Sequence, residues 1–106
     1  MYYEWNEYKL KLDALRIIQL EDKLGGKSPL SIFSGIDQGQ MPQIKELLLV
    51  LHYALQPLQT GIKMEDTIKI YDQQIDNGFT FVKFIELIME IYKVSGLIPK
   101  EVDSKN

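Results

Sequence analysis

The stretch Met41–Leu58, MPQIKELLLVLHYALQPL, constrains this chain more than any other. At 3.6 residues per turn, Ile44, Leu47, Leu48, Leu51, Ala54, Leu55 and Leu58 fall on one side. Leu49, Val50 and Tyr53 spill onto other sides, and Lys45, His52 and Gln56 leave only a narrow polar stripe. A helix this apolar needs partners around most of its circumference. It is expected at the centre, started by Pro42 and limited by Pro57, whose ring removes a hydrogen bond and clashes with the turn before it. The rest of the chain must wrap it, and 106 residues suffice for one core but not for two.

The wrapping elements read in order. Residues 2–12 alternate apolar and polar through Tyr8, Lys9, Leu10, Lys11 and Leu12, the period of a strand with one wet face. With Tyr2, Tyr3 and Trp5 ahead of them they form a β-hairpin turning at Asn6-Glu7, although glutamate resists positive φ at the second turn position. A lone hairpin is marginal in water, so its apolar face must lie on helices. Asp13 caps a first helix with Ala14, Ile17, Ile18, Leu20 and Leu24 inward, closed by Gly25-Gly26. Glu21 falls within that apolar side and is expected to reach the rim.

Ser28-Pro29 starts a short helical turn containing Leu30, Ile32 and Phe33, and Asp37–Gln40 is a polar loop. A helix from Met64 to Asp76 presents Met64, Ile68, Tyr71 and Ile75 as its buried stripe, with Glu65 and Asp66 favoured in its first turn. Thr80 caps the last helix, Phe81 to about Ser95. Its face is Phe81, Phe84, Ile85, Ile88 and Tyr92, widened by Val82 and Met89 on one flank and by Leu87, Ile91 and Val94 on the other. The expected fold is mainly α: a four-helix single domain over residues 1–99, with a short extra helical turn and an N-terminal β-hairpin packed on the helices. Residues 100–106, KEVDSKN, read as a polar, disordered tail.

Several function classes are disfavoured. The net charge of −3, the pI near 5.1 and the lack of a Lys/Arg run count against nucleic acid, which wants a clustered basic surface. No cysteine is present, which removes disulfides, thiolate metal sites and cysteine nucleophiles. The central run is too short for a membrane span and is interrupted by Lys45, Glu46 and His52. The segment MYYEWNEYKL lacks the layout of a signal peptide, so a cytoplasmic location is expected.

His52 is the single histidine and has no second ligand or orienting acid at a useful spacing. An EF-hand set on Gly78 would need oxygens at Gln73, Ile75, Asn77 and Phe84, which fails. Gly26-Lys27-Ser28 has the last letters of a phosphate loop, but Glu21 stands where its first glycine belongs. No catalytic, metal or cofactor site is expected.

Four segments in this order carry a resemblance: YKLKL at Tyr8–Leu12, LEDKLGG at Leu20–Gly26, EDTIKIYD at Glu65–Asp72 and IYKVSGL at Ile91–Leu97. Together they resemble the tail assembly chaperones of long-tailed phages, or prophages, of low-GC Gram-positive bacteria, over about Tyr8 to Leu97. The resemblance implies a non-enzymatic protein of the host cytoplasm. It would bind the tape measure protein, keep it soluble, and leave as tail tube subunits polymerise. It is not expected in the mature virion. The tail tube protein is a further implied partner, and many such chaperones exist also as a longer frameshifted form.

A client helix would dock in an apolar groove. The surplus apolar positions offered as partner-binding candidates are Leu49 and Tyr53 on the central helix, and Leu87, Ile91 and Val94 on the last. Filling of a compact core, or self-association, is the competing use of the same residues. The alternative functions are a small structural tail-completion or connector protein retained in the virion, and a helical regulator binding DNA.

Overall fold

A computed structural model describes residues 1–99; the tail expected at 100–106 lies outside the described residues. Strands β1 (Tyr3–Trp5) and β2 (Tyr8–Leu10) form an antiparallel hairpin with Tyr3 opposite Leu10, Glu4 opposite Lys9 and Trp5 opposite Tyr8. The turn is Asn6-Glu7. Asn6 takes φ 56°, and it is the one non-glycine residue with positive φ among those described. Glutamate is thereby spared the left-handed conformation it resists. Four α-helices follow: α1 (Ala14–Lys23), α2 (Ile44–Leu55), α3 (Met64–Asp76) and α4 (Phe81–Val94). Two 3₁₀ turns, Pro29–Phe33 and Ile36–Gln38, bridge α1 and α2.

Local chemistry sets most of these boundaries. The Asp13 carboxylate accepts the Arg16 N–H at 2.9 Å, and the Thr80 hydroxyl accepts the Lys83 N–H at 3.2 Å. Each satisfies one donor that a helix start leaves unpaired. The Asp66 carboxylate reaches back to the Lys63 N–H at 2.9 Å at the head of α3. At the end of α4, Gly96 (φ 80°) lets the Leu97 N–H return to the Tyr92 carbonyl at 2.9 Å, a left-handed closure that a side chain would strain. Helix α2 starts two residues later than the proline suggested: Gln43 is the cap and Pro42 is buried ahead of it.

Helix α2 is the centre of the fold, touching α1, α3, α4, β2 and the first 3₁₀ turn. Leu47, Val50, Leu51, Ala54 and Leu55 are all fully buried. Val50 therefore belongs to the core, whereas Ile44 and Leu58 stand exposed at the helix ends, beyond the reach of the packed neighbours. Across from α2 lie Leu20 and Leu24 of the α1 segment, Leu10 and Leu12 of the hairpin segment, and Phe84, Leu87, Ile88, Ile91 and Tyr92 of α4. The Tyr92 hydroxyl is buried and donates to the Pro29 carbonyl at 2.7 Å, which pins the 3₁₀ turn to the core.

Two helices bury only part of the face their apolar spacing indicates. On α1, Leu20 and Leu24 are buried and Ile17 packs against the core as expected, whereas Ala14 and Ile18 are exposed. On α3, Thr67 and Ile70 are the buried residues, and Ile68 and Ile75 are about 40% exposed. Helix α3 also makes polar contacts to α2 and to the hairpin turn. Thr67 Oγ1 lies 2.9 Å from His52 Nδ1 on α2, and Gln74 Oε1 accepts from Asn6 Nδ2 at 2.6 Å. The Thr67 contact lies on the buried side of α3 and the Gln74 bond at the surface, while Tyr71 packs against Phe84 with ring centroids 4.8 Å apart.

Candidate functional site

An open cleft of about 420 Å³ lies between β1 and the N-terminal half of α4. Its β1 wall is Tyr3 and Trp5, which share a strand face because they are two residues apart. Its α4 wall is Lys83, Glu86, Leu87 and Glu90, which follow helical spacing and so stack on one side. Phe79, from the turn between α3 and α4, closes one end. The Trp5 and Phe79 rings are 5.3 Å apart, and Phe79 leads on to Phe84 at 5.8 Å and Tyr71 at 6.2 Å. The floor is therefore one margin of an aromatic cluster continuous with the core. Trp5 is 9% exposed and Leu87 4%, so both face the cleft by an edge only.

The hairpin is held over the helices by main-chain bonds from its far end. Lys11 N–H donates to the Ala54 carbonyl at 3.1 Å, and Leu12 N–H donates to Ser95 Oγ at 2.8 Å. The rim carries charge of both signs. Glu90 pairs with Lys93 at 3.3 Å, and Lys83 and Glu86 are exposed. Burial raises the pKa of Tyr8 and of Tyr71, with the neighbouring Glu7 and Asp72 charges acting the same way. These hydroxyls stay neutral over the ordinary pH range.

The five sequence-predicted contact residues do not form one surface. Leu87 lines the cleft but is almost wholly buried, and Ile91 is fully buried. Neither is the surplus exposed residue that helical spacing suggested, because α2 and β1 both pack against α4 and enclose that flank. Leu49, Tyr53 and Val94 are half-buried and lie outside the cleft lining. Trp5 packs in the core, as the hairpin reading required, and it also lines the cleft. Spacing on one helix has no access to Tyr3 or Phe79, which reach the site from distant segments. The available hint was the aromatic density of residues 2–12.

His52 has a structural setting. Besides Thr67, it lies edge-on to the Tyr53 ring at 5.1 Å, and Gln56 Nε2 sits 3.5 Å from its Nε2. That same amide donates to the Ile62 carbonyl at 2.6 Å, so the group ties α2 to the loop entering α3. Burial lowers the His52 pKa. Among the described residues no three His, Cys, Asp or Glu side chains are grouped to hold a metal ion. No helix among them is long and apolar enough to cross a membrane.

Fold and site together define a small, mainly helical domain with a hairpin-walled cleft of mixed polar and apolar lining. The chain matches DUF6096, a family of unknown function, over residues 3–105, and it belongs to that family. No curated protein and no solved structure matches it.

Proposed function

We propose that this protein is a tail assembly chaperone of long-tailed phages or prophages. It binds the tape measure protein in the host cytoplasm and keeps it soluble until tail tube subunits polymerise around it. The order of the four segments between Tyr8 and Leu97 motivates the reading, and the β1–α4 cleft is the observation that carries it. Phe79 and the edges of Trp5 and Leu87 offer a client side chain an apolar contact, and the Lys83, Glu86 and Glu90 rim keeps the empty site wetted. The size of the cleft fits a holding role. One buried large apolar side chain contributes about 1.5–3 kcal/mol, against an association cost of at least about 4 kcal/mol. A segment anchored by one or two side chains is therefore held weakly. Many copies along a long client give useful protection while each remains displaceable.

Co-expression with the tape measure protein of the same genome tests the reading. The expected result is a client that is soluble only with this chain and co-elutes with it. Unchanged client solubility with both this chain and a matched frameshifted form would overturn it. Recovery of the chain from purified particles would point instead to a retained virion component.

A further inference from the structure

The two outer edges of the hairpin are treated differently. In a two-stranded antiparallel ladder, alternate residues turn both N–H and C=O away from the partner strand. Lys9 does so on β2, and a side chain takes both groups. Its N–H donates to Gln59 Oε1 at 2.7 Å, and its carbonyl accepts from Gln59 Nε2 at 2.9 Å. The Gln59 amide stands where a neighbouring strand's peptide would stand, and a further bond to the Leu55 carbonyl at 2.7 Å fixes it. Edge β2 is thus sealed. Glu4 lies directly opposite Lys9, so it too directs its N–H and C=O outward, from β1. Among the described residues nothing takes them. The unsealed edge is the one that walls the cleft.

We infer that β1 is a strand-addition site, and that its occupant is an extended polypeptide segment in which a basic residue lies between two apolar ones. A strand added antiparallel to β1 would pair one residue with Glu4, exchanging both main-chain bonds. That residue's side chain shares the outer face with the Glu4 carboxylate, where the opposite charge is favoured. Its two neighbours point to the other face, over Tyr3 and Trp5, and enter the cleft. A volume of about 420 Å³ suits such side chains.

A second copy of this chain is a poor occupant on both routes. Pairing β1 with β1 centred on Glu4 sets like charges opposite each other, which destabilises a strand pair. Pairing β1 with β2 meets the Gln59 seal. The client's identity rests on the chaperone reading; the open edge does not.

The test is amide hydrogen exchange on the full chain, alone and co-purified with the tape measure protein, alongside capture by Glu4→Pro and Glu4→Ala. Proline deletes the outward N–H and is tolerated on an edge; alanine removes the charge and keeps the N–H. Thermal melting checks that both variants fold. The expected result is at least tenfold protection of the Glu4 amide in the complex. Client capture should fall at least tenfold in Glu4→Pro and stay within about threefold in Glu4→Ala. A complex that leaves the Glu4 amide unprotected overturns strand addition and leaves the chaperone reading standing, whatever the proline variant does. Glu4 protection without client, with a doubled mass in solution, overturns it in favour of self-pairing. No complex with either form overturns both readings.

Discussion

Replacing Tyr92 by phenylalanine removes one oxygen from the middle of the core. The ring is fully buried, and Phe33 meets it edge-on at 6.0 Å, so the phenyl group keeps its packing. What is lost is the 2.7 Å bond to the Pro29 carbonyl, in a place water does not reach. A net hydrogen bond is worth about 0.5–1.5 kcal/mol and a buried group left short of a partner costs about 1–3 kcal/mol, so Tyr92→Phe should cost about 1–2 kcal/mol at pH 7. In a domain of this size that is a fall in Tm of roughly 4–16 °C.

The effect also has a pH signature. Burial, and secondarily the Glu46 charge, push the Tyr92 pKa well above the ordinary 10.0. The folded protein therefore retains a proton that the unfolded chain releases near pH 10. The stability from the neutral hydroxyl is fully present below pH 10 and is lost as pH rises above it, by up to about 1.4 kcal/mol per pH unit. Phenylalanine has no such loss. Tyr8 and Tyr71 contribute in the same direction to both proteins and cancel in the difference. The gap between wild type and variant should therefore be about 1–2 kcal/mol at pH 7 and close near pH 11. Urea titrations followed by far-UV circular dichroism at pH 7, 10 and 11 measure it. A gap below about 0.5 kcal/mol at pH 7, or one that persists unchanged to pH 11, would refute the argument.

Three further outcomes are expected. His52 has a lowered pKa in the folded state, so the stability it lends is present above pH 6.5 and lost as pH falls through and below that value; acid titration of His52→Asn should show a shallower decline than wild type. Leu87→Ala and Ile91→Ala should each cost about 2–5 kcal/mol in urea, as core truncations do, whereas Leu49→Ala and Val94→Ala should cost less than about 1.5 kcal/mol. Gln59→Ala removes the seal on β2, so it should lower stability by about 1 kcal/mol and speed exchange of the Lys9 amide about tenfold.

Sequence reasoning reaches furthest where a single residue's chemistry decides the outcome. Asp13, Thr80 and Gly96 set helix ends through their own bonds and backbone freedom, and the sequence shows them without help. The placement of α2 follows from having more apolar surface than any one neighbour covers. The inward face of α3 was only partly legible, because periodicity counts apolar residues and passes over the buried Thr67. On that face Thr67 meets His52, a polar partner 15 residues away, beside the apolar Ile70 and Tyr71. Leu87 and Ile91 looked superfluous because the hairpin's docking place is fixed by main-chain groups of Lys11 and Leu12, which leave no mark on side-chain patterning. The cleft shares that cause. Tyr3, Phe79 and Leu87 become neighbours only once the hairpin has docked.

The bond from Leu12 to Ser95 also fixes an order of events during synthesis. It spans 83 residues, so at about 5–20 residues per second a ribosome takes roughly 4–17 s to deliver the second partner after the first. Through that interval the hairpin has no helix α4 to lie on; β2 can meet α2 once Leu55 is made, but Trp5 still lacks its α4 neighbours. Its strands are three residues long and carry Glu4 and Lys9 on the outer face, features that slow sticking between waiting chains. A nascent chain stalled before Ser95 would hold its hairpin by the Lys11–Ala54 bond but not the Leu12–Ser95 one, so full latching of the N-terminal segment depends on how promptly translation reaches the end of the last helix.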